Sequence, residues 1–230
     1  MSLVPLKKYQ QTLATSEAEA IKLQHELALL IECENRFGDI SLIAGVDVAY
    51  IKNSDDLIAA VVVLDASTLE VVEQVVVEDK ATFPYIPGLF SFRELPSLLK
   101  AFAKLENTPD LVVCDGQGIA HPRRFGLACH LGLVLDVPAI GCGKSRLLGE
   151  FEEVADERGA RSLLVDKGDV IGHVLKTQRN IKPVYISVGH RIDIDTASEW
   201  VLKLSPKYRL PETTRLSDQL VKRYAKEHTA

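Results

Sequence analysis

The chain has 230 residues, of which 47% are hydrophobic and 26% charged, and it carries a formal net charge of −5. Those proportions describe a folded globule with room for a full core, and they exclude a disordered chain, a collagen-like repeat and a disulfide-laced miniprotein. An acidic total also argues against indiscriminate nucleic-acid binding, although a local basic cleft remains open because the field at a site is set by its neighbours.

No run reaches the roughly 18 apolar residues of a membrane span, and "MSLVPLKKYQQTLATSEAEA" has no signal-peptide apolar core. Cys33, Cys114, Cys129 and Cys142 make neither a CxxC nor a zinc-spaced Cys/His set. The expectation is one domain over residues 1–230, monomeric, without membrane contact and kept in a reducing cytoplasm.

In chain order, Ser16 to Cys33 has helical periodicity, with Ser16 as its cap. "SLIAGVDVAY" (41–50), "LIAAVVVLD" (57–65) and "LEVVEQVVVED" (69–79) read as strands, joined by connections short enough to make them antiparallel neighbours. "FPYIPGLFSFRELP" (83–96) holds three prolines, a glycine and four aromatics, too broken for one helix or strand. It suits either a hydrophobic plug or a stiff exposed loop. A helix then runs to about Leu105. "DLVVCD" (110–115) and "PAIGC" (138–142) are short buried strands flanking a helix at 123–136. "RSLLVD" and "VIGHVLK" form a hairpin, "PVYISVG" (183–189) is one more strand, and "DTASEWVLKL" and "TRLSDQLVKRYAKE" close the chain as helices. Three antiparallel strands followed by β-α-β units predict an α/β fold with a mixed central sheet and helices on both faces.

"AIGCGKSRLLG" imitates a phosphate-binding P-loop, but the position that needs the first glycine is Pro138, which has no amide to donate. Lys144 in that turn can still meet a phosphate as a point charge. Asp47 interrupts an apolar strand, where a carboxylate is costly unless it faces water at an edge or has a partner. Asp115 ends a strand before "GQG", as a turn aspartate or beside a closely approaching ligand. Glu94 lies three residues after Ser91, the spacing of a capping box. Taken together, the three carboxylates offer hard oxygen ligands for Mg²⁺ or Mn²⁺ at the strand tips, where α/β sheets open a cleft. Such an ion moves phosphate oxygens.

"IAGVDVAY", "FPYIPGLFSFRE", "PDLVVCDGQGIAHPRRFGLACHLG" and "GCGKSRLLG" resemble, in order, the signature blocks of endonuclease V, the nuclease acting at deoxyinosine. "GHRIDIDTASEW" and "YRLPETTR" extend the likeness to about residue 215. The resemblance implies a ribonuclease H-like fold and hydrolysis of the second phosphodiester 3′ to the lesion, leaving 3′-hydroxyl and 5′-phosphate ends. Asp47 and Asp115 would bind Mg²⁺, with Mn²⁺ as a substitute, and Glu94 would complete the acidic cluster. His121 and Lys144 would face the phosphate or the attacking water. Pro84, Tyr85, Ile86 and Pro87 would form a stiff wedge replacing stacking lost when the base turns out. The backbone around Gly88, Leu89, Gly116, Gly126 and Leu127 would cradle the flipped hypoxanthine. Arg123 and Arg124, otherwise a solvated helix start, would join Lys144 on phosphates. Thr213 stands where the family often has proline. Asp218 stands where it has histidine or aspartate, and its metal role is open. The implied partner is inosine-containing DNA, single- or double-stranded. Inosine-containing RNA is the alternative within the fold, and a non-catalytic binder of distorted duplexes the alternative outside it.

Overall fold

The computed structural model describes residues 13–52 and 54–228. The N-terminal stretch read for a leader lies mostly outside them. The elements are α1 (Glu17–Ala28), β1 (Leu42–Tyr50), β2 (Asp56–Asp65), β3 (Val71–Lys80), α2 (Phe90–Phe102), β4 (Leu111–Cys114), α3 (Leu127–Leu135), β5 (Ala139–Gly143), β6 (Arg161–Asp166), β7 (Asp169–Leu175), β8 (Val184–His190), α4 (Ile194–Lys203) and α5 (Glu212–His228). All eight strands join one sheet in the order β3-β2-β1-β4-β5-β8-β7-β6.

β1 to β3 pair antiparallel as expected, with Asp47 opposite Ala60 and Asp56 opposite Lys80. β1, β4 and β5 then run parallel, and β5, β8, β7 and β6 return to antiparallel pairing. Three antiparallel strands continued by two parallel ones are the ribonuclease H-like arrangement, so the expected fold class holds.

The core follows from strand alternation. On β2, Leu57, Ala59, Val61 and Val63 face a layer built with Leu95, Leu98 and Phe102 of α2 and Leu131 and Val134 of α3. Ile58, Ala60, Val62 and Leu64 face the other way, onto Leu220 and Val221 of α5. Further along that second face, Ile43, Val113, Ile140 and Ile186 pack on Ala197 and Val201 of α4 and on Leu204 just past its end. Helices therefore cover both faces.

Two boundaries depart from the sequence expectation. The helix expected over 16–33 stops at Ala28, because the chain beyond it docks on the loop after β8: Arg191 N–H donates to Glu32 O and Arg36 N–H to Arg191 O. The helix expected over 123–136 begins only at Leu127. Arg124 has φ 55°, a left-handed value that no helix accommodates. Gly126 N–H and Ala128 N–H are instead tied to Gly118 O and Gln117 O.

Candidate active site

Three neighbouring parallel strands deliver three side chains to one end of the sheet. Val46 pairs with Cys114, and Cys114 with Gly141. The next residue along β1 is Asp47, Asp115 directly follows β4, and Lys144 directly follows β5. The Lys144 ammonium forms an ion pair with Asp115 and lies 4.0 Å from Asp218 Oδ1. Asp218, left open by its sequence, thus joins the cluster from α5. It gets there because α5 begins hard against β1: a Cβ on Gly45 would lie 2.3 Å from Thr213 O, so no other residue fits at 45.

The cluster is electrostatically loaded. Burial, then the charges of Asp115 and Asp218, push the Asp47 carboxyl up to about 7, against the pull of Lys144. Burial also raises Glu94 to about 7, and Asp47 and Asp115 add to it. Lys144 is held above its ordinary value: burial works against its charge, but Asp115, Asp47 and Asp218 outweigh that. Four carboxylates against Lys144 and the exposed Lys222, which pairs with Asp218 Oδ2 at 2.7 Å, still leave an excess of hard, anionic oxygen that suits a divalent cation. Among the described residues, no three His, Cys, Asp or Glu side chains form a closed metal-holding group. Lys144 sits between two of the carboxylates instead. An open donor set fits Mg²⁺, which keeps several of its waters and takes only one or two protein carboxylates.

The capping box does not form. α2 starts after Leu89 with no side-chain cap, and Ser91 instead approaches His130 Nδ1 at 3.3 Å inside the core. Glu94 accepts a hydrogen bond from Tyr50 Oη at 2.7 Å, tying it to the end of β1. Arg93 sits 5.3 Å over the Tyr50 ring and donates to Phe83 O at 2.7 Å. Glu94 therefore belongs electrostatically to the cluster and not to a helix terminus.

The proline-rich loop serves as both plug and exposed tip, divided residue by residue. Phe83 and Leu89 are buried, and Ile86 packs with them against Ala20 and Phe92. Tyr85 is 70% exposed. Ile86 thus contributes less open apolar surface than its sequence implies. The loop closes on Gly88, at φ +79°, and the Gly88 carbonyl accepts from three donors: Arg123 Nη2 at 2.8 Å, Gln24 Nε2 at 3.0 Å and His121 Nε2 at 3.0 Å.

His121 is buried, and its ring is fully used. Arg123 N–H can only donate, so Nδ1 accepts from it, and Nε2 must carry the proton given to Gly88 O. That is a neutral imidazole, and burial followed by the charge of Arg123 holds its pKa down near 4. Arg123 also donates to Gln24 Oε1. Arg124 is committed to Asp166 at 2.8 Å and Asp169 at 3.5 Å. Gly116 and Leu127 are neighbours, a Cβ on Gly116 lying 4.0 Å from that of Leu127, and Leu89 and Leu127 are buried beside their glycines. Lys144 also lines a groove of about 520 Å³ in which Arg146, Lys176, Lys182 and Arg209 outnumber the one carboxylate, Glu153, beside Tyr185. Arg146 lies in the same turn as Lys144; the others are scattered along the chain and converge only on folding.

An acidic cluster with one lysine at the parallel end of a ribonuclease H-like sheet defines a nuclease. The Endonuclease V family model matches residues 23–219. Endonuclease V of Rippkaea orientalis is 48% identical over 202 residues, 88% of each chain. The crystal structure of endonuclease V from Streptomyces avermitilis superimposes with a TM-score of 0.90 at 42% identity, covering 100% of both chains. Ciona intestinalis endonuclease V, solved with a 24mer DNA containing an inosine followed by a ribo-adenosine, gives a TM-score of 0.79 at 26% identity, covering 91% of this chain and 98% of that one. The chain belongs to the endonuclease V family.

Proposed function

We propose that this protein is a divalent-metal-dependent repair nuclease that recognises deoxyinosine in DNA and hydrolyses the second phosphodiester 3′ to it, leaving 3′-hydroxyl and 5′-phosphate ends. The observation that carries this reading is the convergence of Asp47, Asp115, Asp218 and Lys144 at one end of the sheet. The inosine-containing DNA held by the Ciona relative supports the choice of substrate.

Asp47 and Asp115 would hold Mg²⁺, or Mn²⁺ in its place, with Asp218 beside them. When bound, the ion would polarise the phosphoryl group and ease deprotonation of the attacking water. Lys144 stands ready to transfer its charge from Asp115 to the scissile phosphate as negative charge develops there. Glu94, fixed by Tyr50, adds a carboxylate that can take a proton near neutrality. Tyr85 would fill the gap left by the turned-out base. The backbone walls at Gly88–Leu89 and Gly126–Leu127 would receive that base, and the basic groove beyond Lys144 would carry neighbouring phosphates.

The test is to incubate single- and double-stranded oligonucleotides carrying one inosine with and without Mg²⁺ and to map the nick. Cleavage anywhere but the second phosphodiester, or without added metal in the presence of a chelator, would contradict the reading. A matched RNA strand belongs beside them, because the DNA in complex with the Ciona relative has an inosine followed by a ribo-adenosine.

Tyr85→Ala removes a ring worth about 1–3 kcal/mol of stacking, so affinity for inosine duplexes should drop by about one to two orders of magnitude. Saturated turnover should fall less, and the defect should shrink on single strands, where unstacking is already partly met. Because Phe83 and Leu89 form the buried plug, the melting temperature should hold. Early melting with an equal loss on every substrate would return Tyr85 to the plug.

A further inference from the structure

Gln24 lies on α1, well before any of the motifs that mark the site, and its side chain is completely buried. A buried carboxamide has two N–H donors and one carbonyl acceptor to satisfy, and all of them are used across the chain. Nε2 donates at 3.0 Å to Gly88 O and at 3.0 Å to Phe125 O, while Oε1 accepts from Arg123 Nε. Gly88 closes the exposed loop, and Phe125 immediately precedes Gly126 and Leu127. One side chain therefore ties the Gly88 turn to the segment that leads into Gly126 and Leu127, the two stretches proposed above to receive the turned-out base. Hypoxanthine presents an acceptor at O6 and a donor at N1 where adenine presents the reverse, so backbone N–H and C=O groups of fixed polarity tell the two apart only when they are held in place.

We infer that Gln24 is a specificity-determining positioning residue: its carboxamide sets the separation of the Gly88 and Phe125 walls and thereby the preference for hypoxanthine over adenine. The inference rests on the deoxyinosine reading above. His121 and Arg123 also donate to Gly88 O, but neither is bonded to Phe125 O. Among the described residues, only Gln24 donates to both Gly88 O and Phe125 O. Three donors on one carbonyl with two lone pairs leave the loop held even when one of them is lost. Replacing Gln24 should therefore loosen the loop without releasing it.

The experiment compares wild-type protein with Gln24→Met, which keeps the volume and loses both donors and the acceptor, and with Gln24→Glu, which keeps an acceptor for Arg123 but presents oxygens to both carbonyls. Affinities are measured in Ca²⁺ for two single strands differing only in one inosine or one adenine. Amide hydrogen exchange across residues 83–89 and the melting temperature are followed on the protein alone. For both variants the inosine dissociation constant should rise by about tenfold, as expected for a lost buried hydrogen bond. The adenine value should stay within about twofold, exchange in the loop should accelerate, and cleavage at saturating enzyme should fall by less than about threefold, since the metal cluster is untouched. Equal loss on both strands, or unchanged discrimination in either variant, would overturn the assignment. Retained discrimination in Gln24→Glu alone would shift the role to the hold on Arg123 and also overturn it. Gln24→Ala is read in the same way if either variant does not fold. Failure of the deoxyinosine reading shows separately, as a wild-type protein with no preference between the two strands.

Discussion

Replacing Asp47 with asparagine is expected to abolish strand cleavage and, above neutral pH without metal, to raise the melting temperature by several degrees. The loss follows from deleting an oxygen ligand at the tip of β1. The gain follows from linkage. Asp47 titrates near 7 in the folded protein because burial, Asp115 and Asp218 disfavour its charge, whereas the unfolded carboxyl titrates at an ordinary value near 4. An acid held above its unfolded value binds its proton more tightly when folded. The stability it contributes is complete below about pH 4 and is lost as pH rises through about 7. The asparagine variant has no such loss. Its advantage over wild type should be small at pH 4, grow between 4 and 7, and level off above. For a chain of this size each 1 kcal/mol shifts melting by about 2–4 °C. Added Mg²⁺ should close the gap by restoring the wild-type protein alone. Asp115→Asn should be equally inactive but should gain less stability, because it strips Lys144 of its ion-pair partner. Near-wild-type cleavage by either variant would end the metal assignment, and a melting difference independent of pH would end the like-charge account.

Lys144→Ala is expected to lower saturated cleavage by about 10²–10³-fold, the usual cost of removing one charged group aimed at a developing oxyanion. Affinity for inosine strands should change by less than tenfold, because phosphate binding is shared with the groove at Arg146, Lys182 and Arg209. The salt dependence of binding should become shallower by about one unit of log-log slope if one phosphate contact is lost. The competing account makes Lys144 a counter-ion that offsets the repulsion between Asp115 and Asp218. That account predicts a lower melting temperature and recovery of cleavage at high Mg²⁺, since the ion replaces the missing charge. Single-turnover rates across a Mg²⁺ series separate the two, and full rescue would assign the lysine to charge balance alone.

Much of this site could be read before the fold was known, for reasons that differ by residue. Asp47 stood out because a carboxylate inside an apolar strand is costly, and its burial among Asp115 and Asp218 is where that cost appears. Asp115 and Lys144 were legible as ends of short buried strands, and the parallel register of β1, β4 and β5 placed them side by side. Glu94 was ambiguous because a capping box is a local pattern, and only the tertiary partner Tyr50 decided against it. The helix expected over 123–136 was too long because hydrophobic periodicity does not register a left-handed Arg124 or an amide captured by Gly118. Asp218 and Gln24 gave little local signal. One sits on a polar helix of ordinary composition, and the other occupies a position that looks like any solvated glutamine. The contacts that bring them to the site, with Lys144 for the one and with Gly88 and Phe125 for the other, lie far away along the chain, so sequence spacing carries no trace of them.

The close approach of α5 to Gly45 also has a temporal side. Asp47, Asp115 and Lys144 belong to strands made early and midway through synthesis, whereas Asp218 rides on the last helix in chain order. Until residues 212–228 have left the ribosome, one face of β2 (Ile58, Ala60, Val62 and Leu64) has no Leu220 or Val221 to cover it. The fourth carboxylate is also still missing. Translation thus delivers the sheet and Lys144 first and Asp218 last, so a nascent chain that has formed its strands still lacks the helix that covers β2 and carries Asp218 to the cluster.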